Sequence, residues 1–562
     1  MLRVCFVPFT VPVVAVLCSL GCAATSGPSE GAAITPAVAA TAGVAAAQAA
    51  GRAGSVAGAS GATQLGAGAG RAGLGDAARA ALAGAVAAGS GAAGQPGGTT
   101  SGAAGAATAG SSGVAAAGKG GVSGAPDVAG AGPRAGVSGP LFPAPDSQDV
   151  CVDPQLRISF EGSGAPKLGS SGKLQVFDVA QPGSAVATVD FGASSIKETI
   201  GGLALKLERQ VFVDDNSVFV RLPARALSYG HTYYVTLEGA AITGPNGAAK
   251  TFSGDQAWRF STRAAAPSNP SALRVALDGT GDFCSVQGAL DALPAGNETP
   301  SVITLGRGTY YELIHLASKN NVTLRGEDRK GSVIAGTNNE KLNPGTATRA
   351  LVGIDKLSGL VIENLTIHNL TPQGGSQAEA LRMQNCDRCI VRDADILSLQ
   401  DTLLWSGRVY AHNCYIAGNV DFIWGTGSAY FDQCEIKTVV RSGYLVQARN
   451  GAGAYGYVFV DSKLTSDPGL TGSTLARVDA SVYPGSQVAY INCQMGSHIA
   501  PAGWTVTGGP GGGLRFAEYQ TTDLSGKPLD VSRRLAGSMQ LSASAAMMMR
   551  DPATVLGGWT PQ

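Results

Sequence analysis

The chain is poor in what many functional classes need. Only 14% of its 562 residues are charged, 6% are aromatic and five are histidine. Lys plus Arg and Asp plus Glu both total 40, so no basic surplus points to nucleic acid or to an acidic membrane as partner. Beyond the first residues no apolar run reaches membrane-spanning length. From residue 269 onward there is no GxSxG, which removes the serine-hydrolase elbow. Cys386 and Cys389 form a lone CxxC, without the second pair or the histidines a zinc site requires and without the βαβ setting of a redox motif. A structural role follows for that pair, and no metal or cofactor is expected.

What is abundant is glycine, 80 residues, unevenly spread. Residues 1–22 hold one Arg, a short apolar run and then small residues, the pattern of an export signal. Gly21 and Cys22 resemble the cleavage and lipidation site of a bacterial lipoprotein, so the expected location is secreted or anchored at the outer membrane or cell surface through Cys22. Residues 23–139 are Ala, Gly, Ser and Thr with almost no aromatic side chain, a composition that cannot bury enough apolar surface to order the chain. A flexible linker of that length spans roughly 60 Å. Of ten cysteines, Cys5, Cys18 and Cys22 fall in the signal, which leaves seven and hence at least one free thiol.

Between 140 and 264 short alternating runs (QLRISF, KLQVFDV, VATVDF, SVFVRLP, TYYVTLEG, AWRFST) are separated by turn residues, as in a β-sandwich. The closing stretch from Leu227 to Arg263 resembles the end of bacterial Ig-like domains, and the segment reads as a spacer or docking module. From 269 to 562 a unit recurs: VIENLTI, IVRDADI, YAHNCYI, YFDQCEI, VFVDSKL and AYINCQM begin at 361, 390, 410, 430, 458 and 489. Two apolar positions, a polar amide or acid, a small residue and a later aliphatic, repeated at such intervals, match the coils of a parallel β-helix. The fold class is therefore all-β, a right-handed parallel β-helix preceded by a sandwich and a disordered linker. The repeats are expected to bury their own core, so that 269–562 folds alone.

Register then brings chemistry together. Ala394 and Cys414 are equivalent in successive coils, Asp401 lies seven residues after the first and Asp421 seven after the second. Adjacent coils are about 4.8 Å apart. Two carboxylates that close cannot both ionise easily, so one is expected to keep its proton. Arg441 falls seven residues after Cys434, but an insertion near Val439 would displace it. Cys414 and Cys434 hold the same place in successive coils and are expected to form a disulfide. His315 and His412 have no acid arranged as in a triad and read as structural.

GTYYE (308–312), QAEAL (377–381), QDTLL (400–404), VDFIWG (420–425), VQAR (446–449), PAGW (501–504), FAEYQ (516–520) and the terminal GGW follow in order the motif series of pectin methylesterases. The chain resembles that family, and its bacterial lipoprotein branch, across nearly all of 269–562. The resemblance implies that Asp421 attacks a methyl ester carbonyl and that Asp401 protonates departing methanol and later activates water. It further implies that Gln377 and Gln400 donate to the oxyanion and that Arg477 holds Asp421. It makes methylated polygalacturonate, or pectin, the partner of a monomeric enzyme. With such a substrate Trp424 and Trp405 are assigned to the sugar-facing side, because indoles stack on sugar faces. One departure stands out: relatives read LGRPW or GRAWD where this chain reads LARVD (475–479). Two readings of other classes stay open. One is a lyase or glycosidase on the same architecture; the other is a surface protein that acts on another ester or binds polysaccharide.

Overall fold

The computed structural model describes residues 139–562 except 163, 209, 510 and 511, all within one unit, Arg71–Gln562. The signal, Cys22 and the linker up to 138 lie outside the described residues.

Residues 140–264 form two packed sheets. One comprises Leu141–Phe142, Gln155–Ser159, Ser217–Arg221 and Val211–Asp214. The other comprises Ser147–Val150, Arg259–Thr262, Thr232–Leu237, Lys173–Asp178 and Gln181–Asp190. The strict in–out alternation of strands such as Thr232–Leu237 places Tyr233, Val235 and Leu237 in a core with Trp258 and Phe260. The buried Trp258 indole donates to the Pro143 carbonyl at 2.8 Å.

From Ala272 the chain winds into a parallel β-helix with three ladders. The first runs through Ile314–Ala317, Val352–Asp355, Leu381–Arg392, Leu403–His412, Ile423–Gly425, Tyr444–Ala448, Thr474–Asp479 and Trp504–Thr507. The second takes the later halves of the two long strands and continues through Ser428–Asp432, Tyr457–Val460, Gln487–Ile491 and Arg515–Tyr519. The third carries Thr366–Asn369, Asp395–Leu397, Tyr415–Gly418, Glu435–Thr438 and Lys463–Ser466. The repeated unit is the corner between the second and third ladders. Its polar position, Asn364, Asp393, Asn413, Gln433, Asp461, Asn492 and Gln520, has φ between 48° and 54° throughout. Short polar side chains tolerate this left-handed turn better than apolar ones, which explains the pattern.

The small position that follows points inward. It carries Cys414, Cys434 and Cys493, which are buried free thiols, as are Cys386 and Cys389. The expected Cys414–Cys434 disulfide is therefore not formed: each thiol instead turns back to a carbonyl of the preceding coil, Cys414 Sγ to Val391 O and Cys434 Sγ to Ala411 O. Among the described residues the one disulfide joins Cys151 of the sandwich to Cys284 of the β-helix.

Contacts across residue 269 join the two folded parts and bear on the expectation that 269–562 folds alone. The hairpin of strands Ile196–Ile200 and Leu203–Leu207, spelled within the sandwich segment, contributes Ile200, Leu205 and Leu207 to the β-helix core. Asp153 accepts from the main-chain N–H of Cys284 and Ser285, ahead of helix α1 (Val286–Ala292), which Ser285 caps. His315 Nδ1 meets the Gly201 carbonyl at 2.9 Å and its Nε2 meets Asp355 at 3.1 Å, a structural use of that imidazole. His412 is likewise tied to Asp432 at 2.9 Å.

Candidate active site

Asp401 and Asp421 each sit in a left-handed corner, φ 65° and 50°, immediately before a strand of the first ladder. Leu403 pairs with Ile423, and Gln400 bridges Val420, so the two acids occupy the same corner of successive coils. The main chain locks the stack: Asp401 N–H donates to Val420 O at 3.0 Å and Asp421 N–H to Tyr444 O at 2.8 Å. In the next coil the corresponding place is taken by Tyr444 rather than Arg441, because the turn after Thr438 is longer; Ile423 pairs with Val446.

Arg477 lies two coils above. The strand pairing Trp424, Gln447, Arg477, Thr505 forms one outward column, and from it the Arg477 guanidinium grips both oxygens of Asp421, Nε to Oδ1 at 2.6 Å and Nη2 to Oδ2. The fork fixes the carboxylate in orientation. Arg477 also lies over the Tyr444 ring at 5.0 Å.

Asp401 has different company. Arg349, from the loop between Ser332–Gly336 and Val352–Asp355, donates from Nη2 to Asp401 Oδ2 at 2.9 Å. The same guanidinium binds the wholly buried Glu379 through Nε and Nη2 at 2.7–3.0 Å and Glu340 through Nη1 at 3.0 Å. One cation faces two buried carboxylates, too little charge to hold both ionised. Burial first, and then the Glu379 charge, push Asp401 up to about 8 against the opposing pull of Arg349. Neighbouring acids are thus held differently, one gripped by a dedicated arginine and one retaining its proton through neutral pH.

Gln377 and Gln400 are half-buried at the same edge. Ala378 N–H donates to Gln400 O at 3.1 Å, which ties the two segments together, and Ser376 Oγ donates to Gln377 Oε1 at 2.7 Å. The Ser376 contact occupies the amide oxygen of Gln377, so that its N–H groups are the part left to act as donors.

The two tryptophans differ from expectation. Trp405 is 1% exposed and belongs to the core, stacked on Phe431 at 5.3 Å with a 5° tilt. Leu404, not Trp405, is in register with Trp424, and a shift of one residue turns a side chain to the other face. Trp405 is therefore corrected to a core residue. Trp424 does face outward but is only 5% exposed, because Arg449 covers its ring at 4.3 Å and Arg349 lies 5.7 Å from it. It forms the floor beneath two guanidinium groups.

Sequence reasoning missed Arg349, Glu379, Arg449 and Tyr444 as site residues. Glu379 and Arg449 stood inside the motifs QAEAL and VQAR and only their roles were unread. Arg349 carries no local signal, since a loop and not a repeat delivers it.

The model of the Pectinesterase family matches residues 272–546. Probable pectinesterase A of Neosartorya fischeri is 30% identical over 295 residues, 50% of this chain and 85% of that protein. Pectinesterase 31 of Arabidopsis thaliana is 33% identical over 207 residues, 35% of this chain and 65% of that protein. Against that relative, and against Probable pectinesterase 56 of the same plant at 57%, the chain spans less than two thirds of the relative's length. The solved pectin methylesterase from carrot is 25% identical with a TM-score of 0.46, over 52% of this chain and 95% of the other. A β-helix whose matched region carries these motifs, and whose alignment runs through most of a curated relative, places the chain in the pectinesterase family.

Proposed function

We propose that the protein hydrolyses methyl esters of pectin, giving pectate and methanol through an aspartyl acyl-enzyme. The observation that carries this reading is the unequal pair: Asp421 gripped by Arg477, one coil from an Asp401 that keeps its proton. Asp421 attacks the ester carbonyl carbon, and the charge that develops on oxygen is met by the amide N–H groups of Gln377 and Gln400. Asp401 gives its proton to the departing methoxy oxygen as the carbon–oxygen bond breaks, leaving an anhydride on Asp421. Ionised Asp401 then takes a proton from water, whose oxygen attacks the galacturonyl carbonyl and releases Asp421.

The reading is tested by methanol release from highly methylated pectin by the full-length protein. Asp421→Asn should abolish it. New reducing or unsaturated ends without methanol would instead favour a glycosidase or lyase, for which two neighbouring carboxylates also serve. Binding without methanol would favour a surface protein acting on another ester or on none, and the covered face of Trp424 is the observation on that side.

The remaining parts belong to the same reading. The sandwich is of the Ig-like kind, Cys22 carries lipid at an outer surface in the manner of the lipoprotein branch, and the enzyme works there as a monomer. Among the described residues no helix is long and apolar enough to cross a membrane.

A further inference from the structure

The loop that delivers Arg349 is held by the hairpin that the 140–264 segment lends to the β-helix. The main-chain N–H of Lys206, on that hairpin, donates to Asn343 Oδ1 at 2.8 Å, and Asn343 Nδ2 donates back to Lys206 O at 2.8 Å. Asn343 Nδ2 also reaches Asn338 Oδ1 at 2.8 Å. Asn338 Nδ2 in turn donates to the carbonyls of Thr348 and Ala350 at 2.9 and 2.7 Å, the residues on either side of Arg349. Asn338 is wholly buried and Asn343 nearly so, so these contacts are shielded from competing water. Two side-chain amides thus connect the hairpin backbone to the backbone that aims Arg349 at Asp401.

We infer that Arg349 is a positioning residue for Asp401, and that the hairpin lent to the β-helix by the 140–264 segment takes part in catalysis by fixing the loop from which Arg349 acts. The inference rests on Asp401 being the general acid. Glu379, bound by Nε and Nη2, and Glu340, bound by Nη1, fix the guanidinium so that Nη2 also reaches Asp401 Oδ2. The charged groups that act on Asp401 are Glu379 and Asp421, which favour its proton, and Arg349 and Arg449, which oppose it; Arg477 also feels its charge. The signs of two perturbations follow. Loss of the Glu379 charge makes Asp401 easier to ionise. Loosening of Arg349 makes it harder.

Methanol release by the full-length protein is followed against pH, with kcat and KM separated. In Glu379→Gln the basic limb of kcat should move to lower pH by about half a unit or more. In Asn343→Ala it should move to higher pH, with kcat down about tenfold and KM within about twofold, as for a misplaced catalytic group. A folded Glu379→Gln that keeps the parent limb overturns the role of the Arg349 cluster. A folded Asn343→Ala that keeps it overturns the part given to the hairpin. Should Glu379→Gln not fold, Arg349→Lys replaces it, and a parent-like limb there overturns the same claim. If the parent releases no methanol, the esterase reading fails by itself. The positioning claim is then read from the pH titration of the Asp401 carboxyl band in difference infrared spectra against Asp401→Asn: a shift in Glu379→Gln supports it and no shift overturns it.

Discussion

Asp401 is the residue whose environment has the clearest consequences. In an unfolded chain its carboxyl titrates near 3.9, whereas in the fold it is pushed up to about 8. Between those values the folded state holds a proton that the unfolded chain has released. This contribution to stability is therefore complete below about pH 4 and is lost as pH rises through about 8. Asp401→Asn should accordingly be more stable than the parent near neutral pH and should converge with it in acid, as urea midpoints across pH will show. Turnover in the parent should decline above about pH 8, where the acid form disappears. Asp421→Asn should cost several orders of magnitude in methanol release with far smaller change in unfolding midpoint, since the amide keeps the volume and removes the nucleophile. Val478 and Asp479 concern the departure from LGRPW. Val478 is inward and 2% exposed, so an indole there would overpack the core. The outward neighbour of Arg477 is Asp479, held ionised by the Ser481 hydroxyl. Asp479→Trp, rather than a change at 478, should raise affinity for low-ester pectin, measured as a lower KM relative to highly methylated pectin.

Strands and corners carried most of what could be read in the sequence. The polar position of each repeat marked a left-handed corner, and its neighbour marked an inward small residue, so register and the Asp401–Asp421 column were legible before any coordinates. Asn413→Val should destabilise by about 1–2 kcal/mol, because a β-branched residue meets the steric penalty of that φ, while Asn413→Gly should cost much less; thermal unfolding will separate them. Face assignments failed where a strand starts one residue later than its motif suggests. Trp405 and Trp424 are one register step apart and lie on opposite faces, and neither residue type nor spacing to its motif reveals which. Inside, Trp405 begins a stack that runs through Phe431, Phe459 and Tyr490, with ring centroids 4.4–5.3 Å apart. Trp405→Ala should therefore cost about 3–5 kcal/mol in a denaturation experiment, where a sugar contact would have altered KM alone. Arg349 was invisible for a different reason: nothing in a loop's own sequence states which distant carboxylate it will meet.

The boundary at 269 looked natural because composition and repeat pattern both change there. Across it, however, run a disulfide, a pair of helix-capping bonds and a hairpin that completes the β-helix core. A fragment starting at 269 loses Ile200, Leu205 and Leu207 from that core and strands Cys284 without its partner. It should melt lower and aggregate more readily than a fragment starting at 140, as scanning calorimetry and gel filtration will show. The same disulfide has a mechanical meaning. A protein held at its N-terminus and loaded through a polymer bound to the β-helix is under tension along its chain. Cys151 and Cys284, 133 positions apart, pass that load directly from the start of the sandwich to the start of the helix. Nearly the whole sandwich lies inside the bypass, so its unfolding adds no length while the bond is intact. Reduced, the same segment releases about 440–480 Å of chain at full extension, and the oxidised bond withholds that length from a pull.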